Sequence, residues 1–189
     1  MDISFAISEW SGWKSKALNN ISKEKNFLTI GKDPDVSSIP PLLRRRLNSL
    51  GRACANEILQ HIKKDENIPV VYCSQHGDVD RTFGILKKAA KGEPTSPMNF
   101  SLSVHNAILG VLSIHLGLTS SISSISWDQH GLVPVLLEAV GILFSGSEKV
   151  LCVLCDVTLP QIYLDDKSLP RNSYAISFTV TKSEGTSLK

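Results

Sequence analysis

The chain has 189 residues, 42% of them hydrophobic and 20% charged, which excludes a disordered polypeptide or a fibrous repeat and is enough for one self-sufficient core. Its 20 basic and 18 acidic side chains leave a net charge of +2. Binding to nucleic acid or membrane by net charge alone is therefore excluded, and only a local patch could serve.

The opening, Ile3-Ser4-Phe5-Ala6-Ile7-Ser8, alternates as a strand does, with Trp10 and Trp13 beside a turn at Gly12. Residues 15–38 are polar and irregular and predict a long surface loop. Pro40 and Pro41 start a predicted helix over 42–64, in which Leu43, Leu47, Leu50, Cys54, Ile58 and Ile62 share a face. A buried strand over 69–74 ends at the turn His76-Gly77-Asp78, and a helix over 79–91 ends at Gly92. After a loop over 94–100 come an apolar helix over 104–116, a serine-rich strand over 120–126 and a second apolar helix over 132–144. Strands over 149–156 and 174–180 complete the pattern. Strands separated by helices predict a layered α/β domain with a mixed five-stranded sheet, largely parallel with an antiparallel addition at its end. No repeat or linker divides the chain, so residues 1–189 are read as one domain.

The N-terminus lacks the basic and apolar regions of a secretory signal, and the apolar run over 132–144 is too short to span a bilayer. A cytoplasmic protein without membrane insertion is expected. Cys152-x-x-Cys155 lies in an apolar strand, where residues three apart point to opposite faces, and no second Cys or His pair completes a zinc site. Cys54, Cys73, Cys152 and Cys155 are thus read as reduced core thiols, with no metal and no cofactor.

Three segments, in this order, carry a resemblance. They are Pro40-Pro41-Leu42-Leu43-Arg44-Arg45-Arg46-Leu47 before a helix, Ser96-Pro97-Met98-Asn99-Phe100-Ser101-Leu102-Ser103-Val104-His105-Asn106-Ala107 before a Gly-containing helix, and Gly146-x-x-x-Lys149-Val150-Leu151 entering a strand that ends at Asp156. Together they resemble the N-terminal region of β-ketoacyl synthases over residues 1–182, and Ser103 to Ala107 is similar to ketosynthase-like proteins of aryl polyene and related type II pathways. The resemblance implies a single half of the thiolase fold, which in the family packs two similar halves together. The other half, which carries the family's two catalytic histidines, is expected to be absent.

In that family the nucleophile is a cysteine on a tight turn between a short strand and an apolar helix, where the helix N-terminus lowers its pKa. The corresponding stretch here is Trp127-Asp128-Gln129-His130-Gly131, with Asp128 at the nucleophile position. An aspartate cannot form the thioester, so the resemblance implies no catalytic residue. It implies instead a chain-length-factor-like subunit that pairs with a full-length β-ketoacyl synthase in fatty acid, polyketide or aryl polyene assembly and shapes its acyl tunnel. On this reading Ile122, Ser124, Ile125 and Ser126 belong to an interface strand, and Trp127, His105 and Asn106 lie near the tunnel. Two alternatives stay open: a small acyl-thioester hydrolase or decarboxylase using Asp128 and His130, and a plain scaffold for the ketosynthase. His105 and His115 are read as packing histidines of the 104–116 helix. Arg44, Arg45 and Arg46 place three positive charges in one turn, either as a transient docking site for the acidic acyl carrier protein or as a solvated helix end.

Overall fold

The structure, a computed structural model, describes residues 4–15, 28–127, 130–163 and 172–183. Its strands are β1 (Phe5–Lys14), β2 (Leu28–Ile30), β3 (Val70–Cys73), β4 (Ile122–Ile125), β5 (Lys149–Asp156) and β6 (Tyr174–Lys182). Its α-helices are α1 (Pro41–Arg44), α2 (Ser49–His61), α3 (Val79–Ala90), α4 (Pro97–Ser101), α5 (Ala107–Leu116) and α6 (Val133–Phe144).

One mixed sheet runs in the order β2-β1-β6-β5-β3-β4. β3 lies parallel to both β4 and β5, whereas β6 is antiparallel to β5 and to β1. Among the described residues the sheet has six strands, not the five expected: β2 falls inside the stretch read as loop and pairs parallel with β1 through Gly12, Trp13 and Lys14. A three-residue strand supported by one neighbour leaves too short a pattern to be seen in sequence.

The sheet sorts its side chains by alternation. Leu151, Val153 and Cys155 of β5 join one core layer with residues of α2 and α5. Val150, Cys152 and Leu154 join the other, with Val135, Ala139 and Leu143 of α6. The two cysteines of the Cys-x-x-Cys pair thus occupy opposite layers, as the strand reading required. All four cysteines are buried and free. Burial pushes the Cys73 and Cys152 thiols up to about 12, with the nearby Asp156 and Cys73 respectively adding to the effect.

Other boundaries moved for local reasons. The single helix predicted over 42–64 is two, because Asn48 takes an extended backbone and caps α2, its Oδ1 accepting from Gly51 N at 3.1 Å. Its Nδ2 donates to Asp78 Oδ1 at 2.7 Å, and Arg81 Nε reaches Asp78 Oδ2 at 2.8 Å, so the break is tied to the start of α3. α4 forms inside the expected 94–100 loop, with Ser96 as its cap and Pro97 in its first turn. α5 begins only at Ala107, which leaves His105 outside the helix it was assigned to.

Candidate functional site

One carboxyl group gathers the ends of several strands together with Trp127, which follows β4. Asp156, 1% exposed at the end of β5, accepts from Ser74 Oγ at 2.7 Å and from the backbone N–H groups of Gln75 and His76 at 3.1 and 3.2 Å. Trp127 Nε1 at 3.3 Å and Tyr174 OH at 3.0 Å also donate to it. Ser74 Oγ in turn accepts from Gly77 N at 2.8 Å. The ends of β3, β5 and β6 and the entry to the turn therefore converge on a single acceptor. Burial, then the adjacent Asp156, push the Tyr174 hydroxyl well above the usual tyrosine range, so it stays a donor at any physiological pH.

The edge strand is clamped at the same end. His105 Nε2 lies 2.9 Å from the carbonyl of Ile125, which can only accept, so that nitrogen carries the proton. The His105 ring stacks at a tilt on Tyr72, centroids 5.3 Å apart. Gly77, at φ +60°, lets the β3–α3 turn close on the same ring: a Cβ there would sit 2.9 Å from His105 Nδ1. Ser126 Oγ donates to the carbonyls of Ser74 and Gln75 at 3.1 and 3.2 Å. Ser124 Oγ, on β4, is buried without a partner. Asn106 occupies the N-cap of α5 but makes no capping bond through its side chain.

Beside this turn lies an apolar groove of about 470 Å³, lined by Ile7, Trp10, Trp127, Leu132, Ile176 and Phe178 among others. Asp156 holds the polar ends of Trp127 and Tyr174 and leaves their carbon surface to the groove. Ile7 and Trp10 both face it although they are three residues apart. The register shift between Ser8 and Ser11, with Glu9 at φ +45°, inserts the extra residue that makes this possible. Asp128 and Gln129 lie outside the described residues. Among the described residues no group of three or more His, Cys, Asp or Glu is placed to hold a metal ion, and no helix is long and apolar enough to cross a membrane.

The chain matches a known family model, that of the β-ketoacyl synthase N-terminal domain, over residues 10–189. The chain belongs to this family. Among solved structures it is similar to a chain of the ketosynthase ApeO in complex with its chain length factor ApeC from Xenorhabdus doucetiae, with 25% identity and a TM-score of 0.78 over 97% of this chain and 81% of that one. The ishigamide ketosynthase/chain length factor shares its fold at 13% identity and a TM-score of 0.64, over 79% of this chain and 48% of that one. A β-ketoacyl synthase from Burkholderia phymatum STM815 does so at 15% identity and a TM-score of 0.58, over 81% and 46%. This chain thus spans about half the length of the latter two. No curated protein sequence matches it.

In this ketosynthase-family domain the remaining sequence candidates fall as follows. Arg44 ends α1, half-buried, and Arg45 and Arg46 follow it exposed. The carbonyl of Arg46 accepts from Arg81 Nη2 at 3.1 Å, which links the basic turn through Asp78 to the β3–α3 turn under Asp156. His130 precedes Gly131, which turns the chain into α6 at φ +59°. His115 stands in α5, half-buried.

Two polar centres escaped the sequence reading. Asp156 is one; the signal for it was a lone carboxylate closing an apolar run. The other is Glu57 of α2, fully buried, whose Oε2 accepts from Ser11 Oγ at 2.6 Å and Ser177 Oγ at 2.9 Å. The two hydroxyls lie 2.7 Å apart and have one hydrogen each, both used by the carboxylate. His61 Nε2, at 3.1 and 2.9 Å from the same oxygens, is left as the donor. Burial lowers the His61 pKa below its usual 6.5, and Glu57 and Glu9 oppose that shift.

Proposed function

We propose that this chain is a noncatalytic, chain-length-factor-like subunit that pairs with a full-length β-ketoacyl synthase in fatty acid, polyketide or aryl polyene assembly and helps wall its acyl tunnel. The observation that carries the reading is the likeness, over 97% of its length, to a chain of comparable size from a ketosynthase–chain length factor complex. The position of β4 supports pairing. It is the last strand of the sheet, and an edge strand of this kind offers its outer N–H and C=O groups to a second chain. Aspartate in place of the nucleophile supports a role outside the condensation itself.

Co-expression with a complete ketosynthase from the same gene neighbourhood tests the pairing. The two chains are expected to co-purify as one species; a chain that stays apart from every such ketosynthase ends the proposal. Within the complex, Trp127→Ala is expected to lengthen the product, since a filled apolar pocket discriminates by about 1–3 kcal/mol per methylene. Mass spectrometry of the released acyl chains reads this, and unchanged lengths would assign the chain to scaffolding. The basic turn would steer carrier protein: Arg44→Glu with Arg45→Glu is expected to slow association several-fold at low salt, and an unchanged stopped-flow rate removes the patch from docking.

A further inference from the structure

We infer that β1 is a strand with two registers: a second ring proton on His61 slides the stretch 5–8 by one residue along β6, removes the bulge at Glu9 and turns Ile7 away from the groove. Pairing on the two sides of the bulge differs by one residue, since Ser8 faces Thr179 whereas Ser11 faces Ser177. Glu9 and Trp10 therefore both stand against the single residue Phe178. Without that extra residue Glu9 would face Thr179 and Ile7 would face Thr181, and every side chain from Phe5 to Ser8 would change face.

The sequence suits the straight register as well as the bulged one. An unbroken period of two puts Phe5, Ile7, Glu9, Ser11 and Trp13 on one side, and Trp13 already belongs to the α2 core layer. Three features ease the slide. Glu9 holds φ +45°, a left-handed backbone that residues other than glycine rarely adopt, and a straight strand relieves it. β2 meets β1 only at Gly12, Trp13 and Lys14, so among the described residues the stretch 5–8 has β6 as its one strand neighbour. Ile7 is 51% exposed as it stands, so turning it over forfeits little burial. Phe5, packed on the α6 layer, and the 2.8 Å bond from Ser183 Oγ to Ser4 Oγ favour the bulged register.

The proton decides between the two through Glu9. His61 ends α2 with Nε2 on the oxygens of Ser11 and Ser177, and Ser11 is two residues along β1 from Glu9. Glu57 is saturated: Asn56 Nδ2 and Gln60 Nε2 donate to its Oε1 at 3.0 and 3.3 Å, and the two hydroxyls fill Oε2. In the bulged register Glu9 is exposed and acts on the ring only through space, while burial disfavours an imidazolium there. In the straight register Glu9 shares the face of Ser11 and comes alongside the newly charged ring. Around this pair β6 presents Ser177 and Thr179, and β5 presents Leu151, Val153 and Cys155, whose thiol burial holds well above its usual range. Lys149 of β5 pairs with Glu66, and Asp65 lies against Gly117. α5, packed on α2, carries His115, and Lys63 and Lys64 stand exposed past the helix end.

Cross-strand proton contacts in the isotope-labelled full-length chain read the register. Ser8 is expected to face Thr179 at about pH 7.5 and Val180 at about pH 5, on either side of the usual histidine value of 6.5. The ratio of the two registers should change by at most about tenfold per pH unit, the limit for one proton, with a midpoint that coincides with titration of the His61 ring. Glu9→Gln keeps the shape without the charge and should hold the bulge at both pH values. Glu9→Gly, which adopts positive φ freely, should hold it too. Ser8 facing Thr179 in wild type at both pH values overturns the proposal. So do a switch that persists in Glu9→Gln, a midpoint separate from that of His61, and a loss of both contacts in acid, which would mean fraying instead of sliding.

Discussion

At the scale of single residues, acceptors buried under many donors matter most. Asp156→Ala strands five donors at once, from Ser74, Gln75, His76, Trp127 and Tyr174. It should cost about 3 kcal/mol or more, read as a lower urea midpoint with a bluntly altered tryptophan emission. Tyr174→Phe removes one of the five and should cost only about 1 kcal/mol. His61 gives a pH dependence of defined sign. Because its folded pKa is depressed, the unfolded chain binds its proton more readily, so the contribution is whole above about pH 6.5 and is lost as pH falls through the lowered folded value. Wild type should therefore lose stability more steeply than His61→Gln between pH 7 and the acid side, and parallel urea midpoints would refute that. Little of this was legible in sequence. Cys54 and Ile58 marked the buried face of α2, but Glu57 stands between them and its hydroxyl partners come from strands 46 and 120 positions away. Only the fold brings such partners together.

At the scale of elements, sequence pattern succeeded where a run was long and periodic and failed where a tertiary bond overrode it. β5 and β6 formed where strands were expected over 149–156 and 174–180, and α6 kept its apolar character. The 42–64 helix carried one continuous stripe, yet Asn48 breaks it because its side chain caps α2 and answers Asp78 in the same geometry. Asn48→Ala should cost about 1–2 kcal/mol by removing the cap, and it should loosen the start of α3 as well. Hydrogen exchange would register both, with faster amides at Gly51 and at Arg81, the residue whose N–H is held by Asp78 at 3.0 Å. Exchange altered at Gly51 alone would mean that α3 is capped independently. His105 gives the converse lesson. Its place in an apolar stretch suggested a helical packing residue, whereas its bond to the Ile125 carbonyl makes it a clamp on the edge strand.

Among the described residues the two faces of the sheet are unequal: one core layer draws on α2 and α5, the other on α6. The family was legible because its signal lies in the order of several weak segments. The inequality was not, because a composition with 42% hydrophobic residues does not reveal which of them the fold leaves uncovered. Ile7 and Trp10 share a face only through the irregularity in β1, so a strict period of two would have put them on opposite sides.

The sorting of the cysteines has a practical consequence. Cys155 lies in the α2 layer with Cys54, and Cys152 in the α6 layer with Cys73. All four thiols are buried, and burial pushes those of Cys73 and Cys152 up to about 12, so a disulfide reagent must wait for the layer to open. The chain therefore carries a native chemical clock in each half of its interior. Two alanine variants, each keeping one pair, would time the two openings separately. Anything that settles on the α6 side should slow the Cys73/Cys152 clock and leave the other running at its own pace.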